Sequence, residues 1–180
     1  MHEDIDPKAS TLLYDSVLTS LVDNGSALKA YHLLQAIMTG NCIGDGEIGR
    51  LFRGKAKVPP NTTTFSIVIN GLIKTGNLDL AVGLFRDMAQ IGCKPGLLLY
   101  NNLIDALCTS DRLQESCGLL QEMEDSGVEP TSFTNNCIFG CLCRRHDISG
   151  AQSSIKEDAY SWPRAMDKTF YLPGKRIVQA

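Results

Sequence analysis

The sequence predicts an all-α protein, an α-solenoid built from three to four helical hairpins that repeat every 35 residues. Two observations lead to this fold class. First, the segment GCKPG is followed one period later by GVEPT, so that Gly92 and Pro95 are matched by Gly127 and Pro130. Second, apolar residues recur at spacings of three and four, as in amphipathic helices. One hairpin cannot bury its apolar stripe alone, so we expect neighbouring hairpins to stack.

The period divides the chain into repeats and non-repeat segments. Each complete unit has two apolar series, separated by a turn at Lys74–Asn77 in one unit and at Ser110–Asp111 in the next. Gly and Asn at such a turn end one helix and allow another to begin. In chain order we predict a degenerate hairpin over 11–45, an insertion over 46–61, complete repeats over 62–96 and 97–131, a partial repeat over 132–151, and an unstructured or aberrant tail over 152–180.

Composition and charge limit the class of protein. Hydrophobic residues make up 43% of the chain and charged residues 21%, which is typical of globular proteins. No apolar run approaches the roughly 18 residues that a membrane span needs. The net charge is −3, so no basic balance indicates a polyanion partner. We expect no membrane association and no DNA binding.

Cysteine and histidine residues give no clear chemical site. Seven cysteines without a secretory signal predict a reducing compartment and mostly buried thiols. Cys137, Cys141, Cys143 and His146 lie close in sequence, but Cys143 is about 240° from Cys137 around a helix, so these ligands would not converge on a metal. We find no pairing of nucleophile and base. The chain is therefore expected to be no enzyme and to hold no metal and no cofactor.

Two glycine motifs, one across the start of the insertion and one within it, resemble nucleotide-binding loops. Residues 44–49 (GDGEIG) match the dinucleotide fingerprint, and residues 49–55 resemble a phosphate loop in which Ala56 replaces the magnesium-binding Ser or Thr. Both motifs need a preceding strand, whereas the residues before them continue a helical stripe. A nucleotide-dependent enzyme is thus the weakest of the three functions that we consider for this sequence.

The repeats share short signatures that point to a known family. The units resemble the pentatricopeptide repeats of plants and other eukaryotes, of the P-type-like kind, and we expect a fragment or an erroneous piece of a longer plant protein. The tetratricopeptide signatures are absent. The resemblance is strong over 62–151 and is carried by Ile69-Asn70-Gly71-Leu72, Gly92-x-Lys94-Pro95, Tyr100-Asn101-Asn102-Leu103-Ile104-Asp105 and Gly127-x-x-Pro130.

The resemblance implies single-stranded RNA as the partner, with one base read per repeat by two or three side chains. In the family, the fifth residue of a unit contacts the base edge, the last residue tunes that choice, and the second packs around the base. These positions hold Thr63, Ser66 and Gly96 in the first complete unit, Leu98, Asn101 and Thr131 in the second, and Phe133 and Asn136 in the partial unit.

The residues at the fifth positions of the three repeats weakly imply the order of the bases that would be bound: a purine, then a pyrimidine, then a pyrimidine. Asp15, at the fifth position of the degenerate hairpin, would face a phosphate-rich ligand with a negative charge. The implied function is processing, stabilisation or translation of organellar transcripts, in mitochondria or plastids, although the N-terminus MHEDIDPKAS shows no transit peptide. The alternative is a solenoid for protein–protein contacts that has lost RNA binding.

The tail after Ala151 abandons the repeat. When permitted codons are assigned to this segment and the reading frame is shifted forward by one base, the translated sequence can contain Met, Gly and Pro at the positions where the repeat has them. We therefore predict that residues 152–180 result from a frameshift, from mis-splicing or from an error in gene prediction. A genomic sequence that lacks this shadow repeat would contradict the hypothesis.

Overall fold

The structure, a computed structural model, describes residues 7–39 and 59–144. Regular secondary structure within these two ranges is entirely α-helical. The insertion before residue 59 with its glycine motifs, His146 and the tail lie outside the described residues. The helices are α1 (Pro7–Asp23), α2 (Ala27–Thr39), α3 (Thr62–Lys74), α4 (Leu78–Gln90), α5 (Leu97–Thr109), α6 (Leu113–Asp125) and α7 (Ser132–Arg144).

The first of two compact units ends at Pro95. Within it, α1 pairs with α2 and α3 pairs with α4, while α3 also packs against both α1 and α2. The helix that opens one hairpin thus covers the preceding hairpin, as predicted for stacked repeats. The fully buried side chains that fill this core include Leu18, Leu34, Phe65, Ile69, Leu72, Leu84, Phe85 and Met88. Each large apolar side chain buried in this way stabilises the fold by about 1.5–3 kcal/mol.

The second compact unit begins at Gly96 and has the same plan. Helix α5 pairs with α6, and α7 packs against both of them. Tyr100 is fully buried at the repeat position that Phe65 holds in the first unit, so an aromatic side chain fills the core at this position in both units. The hydroxyl of Tyr100 lies 3.2 Å from Oγ of Ser126, and burial raises the pKa of the phenol. Other fully buried side chains of this core are Leu103, Ile104, Leu107 and Met123.

Helices α1, α3, α4, α5 and α6 end in tight turns that contain a left-handed residue. Glycine supplies this conformation at most of them, with φ between 70° and 82°, because it has no Cβ to clash with the following carbonyl. After α4, for example, Gly92 N–H donates to Ala89 O and Cys93 N–H to Met88 O, which is a Schellman cap. The turn glycines are Gly25, Gly76, Gly92 and Gly127.

A different glycine allows close helix packing. Gly71 is buried in the last turn of α3, and a Cβ built there would lie 2.6 Å from Cγ2 of Val22 on α1. Only a residue without a side chain lets the two helices approach at this point. None of the described helices is both long and apolar enough to span a bilayer.

Candidate nucleic-acid interface

The second and fifth residues of each repeat lie next to each other on the first helix of its hairpin. Residues three apart in a helix are neighbours on one face. On α5 this pair is Leu98 and Asn101, and on α7 it is Phe133 and Asn136. Leu98 is 71% exposed and Phe133 is 53% exposed, although both side chains are large and apolar. In these two repeats the second position therefore offers an uncovered apolar surface beside a polar side chain.

The remaining pairs follow the same register. Thr63 is exposed on α3 beside the half-buried Ser66, whose hydroxyl donates to the carbonyl of Thr62 at 2.8 Å. On α1, Leu12 is 68% exposed and stands three residues before Asp15. Sequence reasoning did not single out Leu12, which the offset between the hairpins could have identified as a second-position residue.

Asn101 is the most enclosed of the predicted base-contacting residues. Its side chain is 9% exposed, and Oγ1 of Thr134 lies 2.6 Å from its Oδ1. Thr134 is itself fully buried, at the third position of the next repeat. Backbone N–H and hydroxyl of Thr131 both reach the same Thr134 hydroxyl, at 3.1 and 3.2 Å. The structure thus connects Thr131 and Asn101, the predicted last and fifth positions of one repeat, through a residue of the following one.

The first compact unit contains an equivalent cluster. Oγ1 of Thr64 donates to Oδ1 of Asp15 at 2.7 Å and lies 3.2 Å from Oδ1 of Asn61. Asn61 also caps α3 by accepting a hydrogen bond from the backbone of Thr64. Sequence reasoning missed both third-position threonines. Their signal was available, since Thr64 and Thr134 stand two repeat periods apart.

The predicted site residues that remain lie outside these clusters. Gly96 precedes α5 as its N-cap, without a side chain to contribute a hydrogen bond. Asn136 is half-buried on α7. Leu99, at the third position of the second complete repeat, is an apolar residue and is buried. Of the three repeats that are preceded by another hairpin, which begin at residues 62, 97 and 132, two therefore have a threonine at the third position.

Charge along the first helices changes sign between repeats. Eleven residues are about three helical turns, so Lys74 lies in line with Thr63 on α3, and Arg144 with Phe133 on α7. Both cations are exposed, and one guanidinium nitrogen of Arg144 donates to the carbonyl of Cys108 at 3.0 Å.

On α1 the charge is negative. A groove of about 570 Å³ runs along that helix, lined by Leu12, Asp15, Ser16, Thr19, Ser20, Asp23 and Asn24.

Two thiols of the second unit, those of Cys108 and Cys137, have a raised pKa that keeps them protonated. Burial raises the pKa of Cys108 to about 11. Burial and the nearby Asp105 carboxylate raise the pKa of Cys137 to about 12, and its Sγ lies 3.4 Å from Oδ1 of Asp105. Metal-bound and nucleophilic cysteines need the thiolate. No group of three potential ligands that could hold a metal occurs in the described residues, which exclude His146 and the side chain of Cys143.

Comparison with known proteins identifies the repeats. The model of the PPR repeat family matches residues 95–144, and that of the PPR repeat matches residues 57–89. Both matched segments are pentatricopeptide repeats. The two matches cover α3 and most of α4, and all of α5, α6 and α7.

Two relatives agree with this assignment. A mitochondrial pentatricopeptide repeat-containing protein of Arabidopsis thaliana is 43% identical over 104 residues, which are 56% of this chain and 12% of that protein. The crystal structure of the pentatricopeptide repeat protein PPR10 from maize matches with a TM-score of 0.65 and 19% identity, over 83% of this chain and 20% of that one. This chain therefore spans a small part of the length of either relative, and the second likeness concerns the fold.

Proposed function

We propose that this pentatricopeptide repeat chain binds single-stranded RNA with base selectivity and acts, as part of a longer repeat array, on transcripts in an organelle. The Arabidopsis relative is named as mitochondrial, which favours that organelle. The mechanism is noncovalent and uses about one base per repeat. RNA processing, stability and translation are the activities that such binding would serve.

One observation carries the proposal. The large apolar side chains of Leu98 and Phe133 remain exposed, each three residues before an asparagine on the same helix face. An exposed apolar side chain beside an amide suits an unpaired base, since the ring of the base packs on the apolar side chain and the edge of the base hydrogen-bonds to the amide. Lys74 and Arg144 supply positive charge in line with two of the second positions, where phosphates would follow the bases.

The affinity of this chain alone is expected to be weak. Few repeats contribute, while the cost of ordering the RNA is incurred once for the whole complex. The two carboxylates along α1 add repulsion at that end. A longer array would gain affinity because each further repeat acts on RNA that is already tethered.

The test is binding of the full chain to a randomised single-stranded RNA pool at low and moderate salt. We expect affinity to fall as salt rises, because bound phosphates release counterions. The substitutions Ser66→Asn and Asn101→Ser should each change the base enriched at one position of the pool. Gln114→Ser, an exposed change on the second helix of the same repeat, serves as the matched control and should leave the enriched sequence unchanged.

A folded chain that binds no RNA at low salt would overturn the proposal. It would then favour the alternative, a repeat scaffold for protein–protein contacts.

A further inference from the structure

We infer that Thr134, at the third position of a repeat, selects the base read by Asn101 in the preceding repeat, because its hydroxyl holds the Asn101 amide with the NH₂ group free for the ligand. This inference rests on the proposed RNA-binding function and adds a positioning residue to it. It concerns a contact within the second compact unit, where both residues lie.

An asparagine amide can face a ligand in two ways. Its oxygen accepts hydrogen bonds and its nitrogen donates two, so rotation by 180° exchanges an acceptor for a donor at the site. A free amide would therefore discriminate poorly between base edges. The group that fixes the other end of the amide decides which atom the base meets.

The equivalent hydrogen bond in the first compact unit shows which residue is the donor. There the equivalent threonine, Thr64, lies 2.7 Å from Oδ1 of Asp15. An ionised carboxylate only accepts, so the Thr64 hydroxyl must donate its single proton to it. Thr134 and Asn101 are arranged in the same way, with 2.6 Å between Oγ1 of Thr134 and Oδ1 of Asn101. By analogy, the Thr134 hydroxyl donates and Oδ1 of Asn101 accepts.

The hydrogen bonds around Thr134 agree with this direction. A hydroxyl has one proton and two lone pairs. When the proton goes to Asn101, the lone pairs accept the backbone N–H of Thr131 at 3.1 Å and its hydroxyl at 3.2 Å. All bonding capacity of the Thr134 oxygen is then used. Because Thr134 is fully buried, water does not compete for these bonds.

The orientation of the amide predicts which bases fit. The described residues engage the oxygen of Asn101 and leave its Nδ2 without a protein acceptor. A donor suits the O2 atom of a pyrimidine. It is least compatible with guanine, whose pairing edge presents two donors, N1–H and N2–H₂, beside a single acceptor, O6. The base opposite Asn101 is therefore expected to be a pyrimidine, with guanine the least accepted.

The experiment measures binding of the full chain to four short single-stranded RNAs that differ at one nucleotide. That nucleotide is the one whose preference changes in Asn101→Ser. We expect Thr134→Val, which keeps the shape and removes the hydroxyl, to lower the pyrimidine-over-guanine preference by about three- to tenfold, as for one lost hydrogen bond. Thr134→Ser should keep the preference. Circular dichroism and thermal unfolding confirm that each variant is folded.

A second variant keeps the test independent of the stability of Thr134→Val. Asn101→Asp still accepts from Thr134 and reproduces the arrangement that Asp15 and Thr64 already form in this chain. It presents an acceptor to the ligand and should shift the preference toward guanine. The added charge weakens binding of all four RNAs alike, so the ratio between them remains the readout.

The outcomes separate the two proposals. If the wild-type chain binds with selectivity that Thr134→Val or Asn101→Asp leaves unchanged, the inference is wrong while the proposed function stands. If the folded wild-type chain binds none of the RNAs at low salt, the proposed function fails, and the role of Thr134 fails with it.

Discussion

Asp111 adopts a left-handed backbone conformation, with φ of 58°, at the turn position where Gly76 adopts φ of 76°. In this conformation the Cβ atom of any residue other than glycine lies close to the following carbonyl oxygen, which costs roughly 1 kcal/mol. The cap is also looser, since Asp111 N–H lies 3.3 Å from Cys108 O while Gly76 N–H lies 3.1 Å from Ile73 O. The turn of the second complete repeat is therefore strained relative to that of the first.

Replacing Asp111 by glycine should stabilise the chain. We expect Asp111→Gly to raise the free energy of unfolding by about 0.5 kcal/mol, the relieved strain being partly offset by the greater freedom of glycine in the unfolded chain. Urea-induced unfolding measures the change. Ser110→Gly is the matched control, because Ser110 has φ of −87° and should lose stability on substitution. Equal effects of the two changes would contradict strain at Asp111.

Gly71→Ala should destabilise the chain although alanine favours helices. The new methyl group would lie 2.6 Å from Cγ2 of Val22, and such overpacking costs about 1–3 kcal/mol. Gly83→Ala is the control, because a Cβ there meets no atom within 4 Å. It should gain about 0.5–1 kcal/mol from helix propensity. Val22→Ala added to Gly71→Ala should recover much of the loss, and a failure to do so would exclude this contact as the cause.

The buried thiol of Cys108 should make stability fall at alkaline pH. Burial raises its pKa from the ordinary value of 9.0 to about 11, so the unfolded chain releases this proton at a lower pH than the folded one. The contribution is full below about pH 9 and is lost as pH rises toward 11. Two pKa units correspond to roughly 2–3 kcal/mol.

The measurement is the urea midpoint of unfolding at pH 7, 9 and 11. Cys108→Ala should be less stable than the wild-type chain at pH 7, because it leaves a small cavity. Its stability should fall less between pH 9 and 11. Parallel pH profiles for the two chains would show that another group is responsible.

Truncating the exposed second-position side chains should weaken RNA binding without destabilising the fold. Phe133→Ala removes a stacking surface worth about 1–3 kcal/mol, which corresponds to a loss of affinity of roughly five- to 150-fold. Its unfolding midpoint should hardly change, since Phe133 is 53% exposed. Leu28→Ala, at an exposed leucine on the second helix α2, is the control and should leave affinity unchanged. A loss of affinity in the control would argue for general damage to the chain.

The sequence by itself determined the repeated hairpins. Local rules were sufficient, because the spacing of apolar residues sets which helix face is buried and glycine sets where each helix ends. The aromatic core position of Phe65 and Tyr100 and the turns at Gly76 and Asp111 could all be predicted from the 35-residue register. The family resemblance also placed Leu98, Asn101 and Phe133 on one type of helix face.

Only the tertiary structure decided how side chains of successive hairpins meet. The contact of Gly71 with Val22 and the hydrogen bond from Thr134 to Asn101 join residues that no local rule connects. They depend on the distance and rotation between packed helices, which arise from the whole core and not from any single segment. The register could name Asn101 as a candidate, but the hydroxyl that fixes its amide became visible only when the next hairpin was packed against it.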